Sequence, residues 1–351
     1  MNGTNIILLK LIREASGLTQ SEFAEKILKL PQTVLSKLEH GVLSPSDDML
    51  KTIAENSKYP IEFFREPFCD ISSGLIYHRK RSSLRAFDRT RIESRARLRA
   101  FDAVRLARSG DVSSNLLARE GRTPSAAAQE VRQRQNVQRG PIDDMVRFLE
   151  HQGVMILAFD FETDMLDGFF IPIYEEDGRE WVCIALNTNA AFSVDRQRFT
   201  LAHEFGHAIL HRKEFPDPNA VDYETEANEF AAELLFPKAE AVKELAVPLT
   251  FTNLKNLKVK WRMSMSAIAR RARDVEAVSD TSYRKTLFFL QSSGYRKREP
   301  LFGLAPERPV LLESLMNQMI EQGRNPDDIL HLSPNRFRKR YQDFKIGGPM
   351  T

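Results

Sequence analysis

Cysteine is scarce in this sequence, and the shortage limits the kinds of site that the chain can build. Only Cys69 and Cys183 occur in 351 residues, and they lie far apart, in no spacing typical of a metal site. This excludes a disulfide framework and fits a reducing compartment. Any metal ion bound by this chain must therefore be held by histidine and carboxylate side chains.

Long apolar runs are also missing. No stretch approaches the roughly 20 apolar residues that a membrane-spanning helix needs. The N-terminal run NIILLKLIREASGLTQ becomes charged after a few residues and has no small-residue cleavage site. We therefore expect a cytoplasmic protein with no membrane partner. Its composition, 42% hydrophobic and 28% charged, is typical of globular domains, and its length predicts two or three of them.

A large net charge is absent, but basic residues concentrate in one segment. The formal net charge of the whole chain is +3, whereas residues 76–110 carry eleven basic and three acidic residues, a net charge of +8. Such a segment can bind nucleic acid or an acidic partner, or it can form a solvated helix face, and the sequence leaves both readings open. The basic residues are Arg79, Lys80, Arg81, Arg85, Arg89, Arg91, Arg95, Arg97, Arg99, Arg105 and Arg108.

The pattern of apolar residues and of glycine and proline breaks predicts four parts. A small helical bundle is followed by a basic helical connector without a core of its own, then by a mixed α/β part and a helical C-terminal module. Their predicted bounds are residues 1–70, 71–140, 141–245 and 246–351. The fold class is therefore multidomain and mainly α-helical, with one small α+β domain.

The third part contains three runs that suit strands, followed by two that suit helices. The strand runs are rich in β-branched and aromatic residues, and a polar tip at residues 175–178 predicts a hairpin between the second and third. The predicted strands are Val154–Phe159, Gly168–Ile173 and Trp181–Leu186, and the predicted helices are Asp195–His211 and Glu224–Leu235.

The first of these helices carries the sequence HEFGH, an instance of the HExxH pattern. His203 and His207 are four residues apart, so a helix places both imidazoles on one face, where they can bind one zinc ion. Glu204 lies beside them, turned so that its carboxylate can reach a water molecule on the metal. A chance match on a buried helix face is the alternative, and the acidic helix that follows makes that alternative weaker.

A catalytic zinc site needs a third protein ligand and one open position. In YETEANEFAAELL, Glu224 and Asn228 lie one turn apart, so Glu224 can complete the ligand set while Asn228 supports a ligand imidazole. Glu226 is the competing ligand, and helical phase does not decide between the two glutamates. His211 extends the histidine face but would lie about 12 Å from His203 at 1.5 Å rise per residue, so we expect a helix-end residue there.

RQRFTLAHEFGHAILH followed by EANEFAAELLFP resembles the ImmA/IrrE family of zinc metallopeptidases over about residues 141–240. The resemblance implies a small sheet packed on the active-site helix, one zinc ion on His203, His207 and Glu224, and Glu204 as the catalytic base. It favours Glu224 over Glu226 because Glu224 stands four residues before Asn228. The family often has methionine where this chain has Phe236. Apart from the resemblance, Tyr223 is a candidate hydrogen-bond donor to an oxyanion formed on the substrate, with a core or surface tyrosine as the favoured alternative.

The N-terminal part has the pattern of a helix-turn-helix. Thr19 and Glu22 have the spacing of a capping box that begins one helix, and Pro31 begins the next. In the second helix Leu35 and Leu38 form an inward stripe. The side chains that we expect to meet double-stranded DNA are Gln32, Thr33, Ser36 and Lys37 on that helix, with Gln20 on a phosphate.

This region resembles the Cro/repressor type of helix-turn-helix over about residues 6–64, and SKLEHG is its most specific stretch. It departs from that type at ILKLP, where the turn is one residue longer and lacks the customary glycine. A bundle that binds protein rather than DNA is the alternative.

Together these features predict a DNA-binding regulator with zinc-dependent endopeptidase activity. Relatives of the ImmA/IrrE family relieve repression by cutting regulators, so the resemblance implies a protein substrate, a transcriptional repressor or a related regulatory protein. The competing hypothesis is a transcriptional regulator or antitoxin-like DNA-binding protein whose zinc site does not catalyse. Glu204 favours the enzyme, because a closed structural zinc site has no water to activate.

Overall fold

The computed structural model describes residues 5–66, 84–110, 112, 116, 121–175, 177–212, 222–295 and 298–330. The helices of the first part are α1 Ile6–Ser16, α2 Gln20–Glu22 with its π-helical continuation Phe23–Leu28, α3 Gln32–Glu39, α4 Asp47–Ser57 and a 3-10 turn at Ile61–Arg65. Then come α5 Ala86–Ser109, α6 Pro124–Arg134 and α7 Met145–Glu150.

The α/β part contains β1 Val154–Phe159, β2 Gly168–Tyr174, β3 Glu180–Asn187, α8 Val194–Leu210, α9 Tyr223–Leu235 and α10 Lys238–Glu244. The remaining helices are α11 Phe251–Trp261, α12 Met265–Asp274, α13 Asp280–Ser292, α14 Leu311–Glu321 and α15 Asp327–Leu330. The prediction of a mainly helical chain with one small sheet is confirmed. A search of the described helices finds none that is both long and apolar enough to cross a membrane.

The helix-turn-helix begins at the capping box that the sequence predicts. The Thr19 hydroxyl accepts a hydrogen bond from the Glu22 backbone N–H, and the Glu22 carboxylate accepts one from the Thr19 N–H, so two otherwise unpaired donors at the helix start are satisfied. Leu35 and Leu38 on α3 are fully buried, as the inward stripe predicts.

The long turn between α2 and α3 is accommodated by a change in helix type. Over Phe23–Leu28 the chain is π-helical, a wider turn that holds one more residue than an α-helical turn. Lys29 then ends the helix in the left-handed region, with φ 58° and ψ 37°, the conformation for which glycine is usual. Lys29 thus adopts the left-handed conformation that a glycine usually adopts in this turn, which explains how the turn can lack the customary glycine.

The sheet has the strand order β1-β3-β2. Strand β1 runs parallel to β3, with Val154 opposite Val182. Strand β2 runs antiparallel to β3, with Gly168 opposite Leu186, as the predicted hairpin requires. Residue 176 of the hairpin tip lies outside the described residues.

Both faces of this sheet are buried, against different helices. On one face lie alternate residues such as Met155, Leu157 and Ile171, in a core shared with the N-terminal helices, α5 and α14. On the other face lie their neighbours, such as Ile156 and Phe170, in a core shared with α6 to α12. The strands read as continuous apolar runs because neither face meets water.

Within the segment predicted as a connector, residues 71–140, α5 is largely buried. This 24-residue helix packs along α1 and against the sheet. Its buried side is built largely from small residues, which let the neighbouring elements approach closely. They include Ala96, Ala100, Ala103 and Ala107, all without exposed surface.

The arginines of α5 are neither a solvated face nor a free basic surface from Arg91 onward. Arg95 reaches Glu162 at 2.7 Å, and Arg105 reaches Glu66 at 2.6 Å. Arg108 pairs with Glu175. The guanidinium carbon of Arg99 lies 4.2 Å from the centre of the Phe159 ring. Arg79, Lys80 and Arg81 lie outside the described residues.

The C-terminal module supplies buried charged side chains that form ion pairs at the start of α8. Lys258 is fully buried between the carboxylates of Asp195 and Glu299, the latter at 3.0 Å. Glu299 also accepts hydrogen bonds from the first backbone N–H groups of α12. Arg198, buried in α8, pairs with Glu307. These pairs fix the C-terminal module to the start of α8.

Candidate metal centre

The site is built on α8, where the HEFGH sequence forms a regular helix as predicted. The four-residue spacing brings His203 Nε2 to 3.1 Å from His207 Nε2. Two imidazoles in that arrangement turn their lone pairs towards one point in space, which is what a shared metal ion requires.

Gly206, between the two histidines, lets α9 approach α8. A Cβ atom at this position would lie 3.0 Å from a ring carbon of Phe230 and 3.3 Å from the backbone of Ala227. Any larger residue would therefore push α9 outward. The close approach matters because α9 supplies the third candidate ligand.

Glu224 on the first turn of α9 reaches both histidines. One carboxylate oxygen lies 3.5 Å from His203 Nε2 and the other lies 3.6 Å from His207 Nε2. Among the described residues, these three side chains form the group of histidines and acids that could hold a metal ion, with ligand atoms all within 4.8 Å of one another. The structure thus brings together the three residues that the sequence singles out as ligands.

Asn228, one turn further along α9, contacts His203. Its Oδ1 lies 3.1 Å from His203 Nδ1, so an N–H on that nitrogen donates to the amide and leaves Nε2 bare. Burial, helped by the neighbouring His207, lowers the pKa of His203 to about 4. The imidazole is therefore neutral at physiological pH, which is the state that binds metal.

Glu204 is held by an interaction that the sequence does not reveal. Its side chain is buried, and Oε2 accepts a hydrogen bond of 3.1 Å from the backbone N–H of Phe170 in β2. Burial raises the pKa of this carboxyl to about 7. Every residue type except proline offers the same N–H, so no sequence signal could have identified this contact.

The competing ligand Glu226 points elsewhere. Its Oε2 lies 2.9 Å from Nε2 of His211, which ends α8 as expected for a helix-end residue. Tyr223 is buried with its ring edge-on to His211, the ring centres 4.6 Å apart. Its role as an oxyanion donor stays a prediction.

The five residues predicted to contact DNA lie on α2 and α3. Thr33 and Lys37 are exposed, and Ser36 is half-buried on the same side of α3. Gln32 Nε2 donates to Gln20 Oε1 at 2.7 Å, which links the starts of the two helices. Gln20 donates in turn to Glu39 at 2.8 Å, and Glu39 is held by Arg13.

A cavity of about 710 Å³ reaches α9 at Asn228, the residue that contacts His203. It lies between α8 and α9 on one side and α12 on the other. Asn228 lines it, and so do Phe199, Met263 and Ala267.

Two family models match the chain. Residues 149–273 match Peptidase M78, the IrrE N-terminal-like domain, and residues 9–64 match a helix-turn-helix. No curated protein matches the chain. Both resemblances inferred from HEFGH and SKLEHG are thereby confirmed. The peptidase match extends beyond residue 245, where the sequence interpretation ends that domain, and reaches into α12.

Proposed function

Because the chain joins an IrrE N-terminal-like domain of the Peptidase M78 type to a helix-turn-helix domain, we propose that it is a cytoplasmic DNA-binding regulator with zinc-dependent endopeptidase activity. The substrate that we propose is a protein, a transcriptional repressor or a related regulator. The observation that carries the proposal is the convergence of His203, His207 and Glu224 beside the buried Glu204.

The distances among the three side chains suit zinc. Tetrahedral zinc with bonds of about 2.0–2.1 Å holds neighbouring ligand atoms roughly 3.3 Å apart. The observed separations of 3.1, 3.5 and 3.6 Å bracket that value. Two histidines and one glutamate are also the ligand set of several catalytic zinc sites, which leave one position open. Zinc bound here would polarise a substrate carbonyl and make a water molecule more acidic.

Glu204 is the general base of the proposal. Its Oε2 accepts the Phe170 N–H, which holds the carboxyl in one orientation. A carboxylate held at this place can accept a proton from the attacking water and return it to the leaving amine.

The decisive experiment compares newly formed protein N-termini in host cells that express the wild type or Glu204→Gln. Glu321→Gln, at an exposed position of α14, serves as the matched control. The zinc content of each purified protein is measured in parallel. We expect one zinc per chain in all three, and one or a few new N-termini with the wild type and the control but not with Glu204→Gln.

Absence of any difference in N-termini, under normal and stress conditions, would contradict the endopeptidase. If zinc is still present in that case, the non-catalytic regulator becomes the better hypothesis. A wild type without zinc would contradict both.

DNA binding is tested separately by measuring affinity against salt concentration. Lys37→Ala should weaken binding to all sequences and reduce the slope of log K against log salt by about 1, the loss of one phosphate contact. Lys51→Ala, an exposed lysine on α4, is the control that should leave the slope unchanged. Equal slopes for the two variants would place α3 away from DNA.

A further inference from the structure

His211 connects the second histidine of the HEFGH sequence to a carboxylate. Its ring is buried just beyond the end of α8, with Nδ1 3.0 Å from Nδ1 of His207. Its other nitrogen, Nε2, lies 2.9 Å from Glu226 Oε2. The three side chains therefore form a continuous line of hydrogen bonds that ends on His207.

The hydrogens in this line can be placed by elimination. Nε2 of His207 faces His203 and Glu224, so metal binding there leaves the proton on Nδ1. That N–H must donate to His211 Nδ1, which is then bare. The remaining proton of His211 is on Nε2, where it donates to Glu226.

We propose that His211 and Glu226 are positioning residues that orient His207 and strengthen it as a metal ligand. The proposal rests on the zinc site proposed above. An imidazole that donates its second N–H towards an anion becomes a more basic ligand, and the hydrogen bond also fixes the plane of the ring. Here His211 passes the effect of the Glu226 charge on to His207.

The two histidine ligands are then supported in different ways. His203 donates to the neutral amide of Asn228, whereas His207 donates to an imidazole that is itself bound to a carboxylate. The line of hydrogen bonds from the Glu226 carboxylate ends on His207. The edge-on contact with Tyr223 holds the His211 ring in the orientation that the relay needs.

The first test measures zinc affinity by competition with a chelator, on full-length protein. His211→Phe keeps an aromatic ring against Tyr223 but removes both hydrogen bonds. His211→Asn keeps an oxygen that can accept from His207 but does not reach Glu226. Glu226→Gln keeps an acceptor and removes only the charge. His151→Phe, at the exposed end of α7, is the histidine control.

We expect His211→Phe to weaken zinc binding about 10–100-fold, the usual effect of losing the partner of a ligand histidine. His211→Asn and Glu226→Gln should each lose less than His211→Phe, and His151→Phe should bind as the wild type does. The thermal unfolding midpoint of each zinc-free protein is measured alongside. A His211→Phe protein that folds normally and binds zinc as tightly as the wild type would overturn the proposal.

The second test is spectroscopic. In protein labelled with ¹⁵N-histidine and loaded with zinc, the ring nitrogen shifts should report a neutral His211 that carries its proton on Nε2. A proton on Nδ1 of His211 would contradict the relay. Both tests remain informative if no cleaved protein is ever found. Failure of the wild type to bind zinc, in contrast, would count against the zinc site itself.

Discussion

The two faces of the sheet are both buried, yet they are stabilised by different means. The face towards α5 meets alanines and large apolar side chains, and the α5 arginines pair with acids around it. The face towards α8 adjoins buried charges, each held by an opposite charge or a hydrogen bond, as Lys258, Arg198 and Glu204 are. Apolar packing covers both faces, but the ion pairs at the start of α8 are fully buried, whereas those of α5 are partly exposed.

The comparison predicts that removing a charge near α8 is the most damaging single change. Lys258→Met should lower the free energy of unfolding by about 3–5 kcal/mol, because Asp195 and Glu299 would then be buried without a cation. Urea denaturation of the zinc-free protein measures this. Lys260→Met, which breaks the exposed pair with Glu244, should cost at most about 1 kcal/mol. Equal losses of unfolding free energy in Lys258→Met and Lys260→Met would show that the buried ion pairs stabilise the protein no more than an exposed pair does.

Glu150, the last residue of α7, contacts the start of α14 and so links the helices on the two sides of the sheet. It should make the free energy of unfolding depend on pH. Its carboxylate accepts hydrogen bonds from the N–H groups of Val310 and Leu311, and burial raises its pKa from 4.5 to about 7. The folded protein thus holds this proton more tightly than the unfolded chain does. The resulting stabilisation is complete below about pH 4.5 and is lost as the pH rises through about 7.

Glu150→Gln keeps an oxygen acceptor and cannot ionise. We expect it to reduce the difference in unfolding free energy between pH 5 and pH 8 by up to about 3 kcal/mol. Urea denaturation of wild type and variant at both pH values gives that difference. An unchanged pH dependence in the variant would show that the folded protein holds the Glu150 proton no more tightly than the unfolded chain does.

On the α5 face, added volume should be the damaging change. Ala100 is fully buried, so Ala100→Leu should cost about 1–3 kcal/mol through overpacking. Ala86→Leu, at the exposed first residue of the same helix, should change stability by no more than about 0.5 kcal/mol. Thermal or urea unfolding separates the two. If Ala100→Leu leaves the free energy of unfolding unchanged, α5 is not closely packed and the prediction of a connector stands.

The smallest expected effect concerns the turn of the helix-turn-helix. Lys29→Gly should stabilise the protein slightly, by less than about 1 kcal/mol, since it relieves a left-handed lysine but adds freedom to the unfolded chain. Lys26→Gly, inside the π-helical segment, should destabilise by a similar amount. If Lys29→Gly destabilises the protein as much as Lys26→Gly does, the Lys29 side chain makes a native contact that stabilises the protein by more than its left-handed conformation costs.

The candidate site was predictable from sequence because its ligands are set by local spacing. His203 and His207 are fixed by one helical turn, and Glu224 follows from its distance to Asn228 in the family pattern. The strands and the capping box at Thr19 were predictable for the same reason. The contact that orients Glu204 was not predictable, because its donor is the backbone N–H of Phe170, which almost any residue type would provide.

The role of α5 was missed for a different reason. An arginine-rich helix reads as a solvent-exposed one, and only the fold shows that acids such as Glu66 and Glu162 lie opposite its charges. Long-range partners are equally invisible in a sequence. Glu307 pairs with Arg198 from 109 positions away, and no local pattern marks it.

Burial of both sheet faces has a practical meaning for dividing this protein. A fragment limited to residues 141–245 would keep His203, His207 and Glu224 but would leave one side of its sheet, including Met155 and Ile171, open to water. It would also lack Glu307 and Lys258, the ion-pair partners of Arg198 and Asp195. We expect such a fragment to aggregate on expression, so a soluble version of the metal centre has to carry α5 and the C-terminal helices with it.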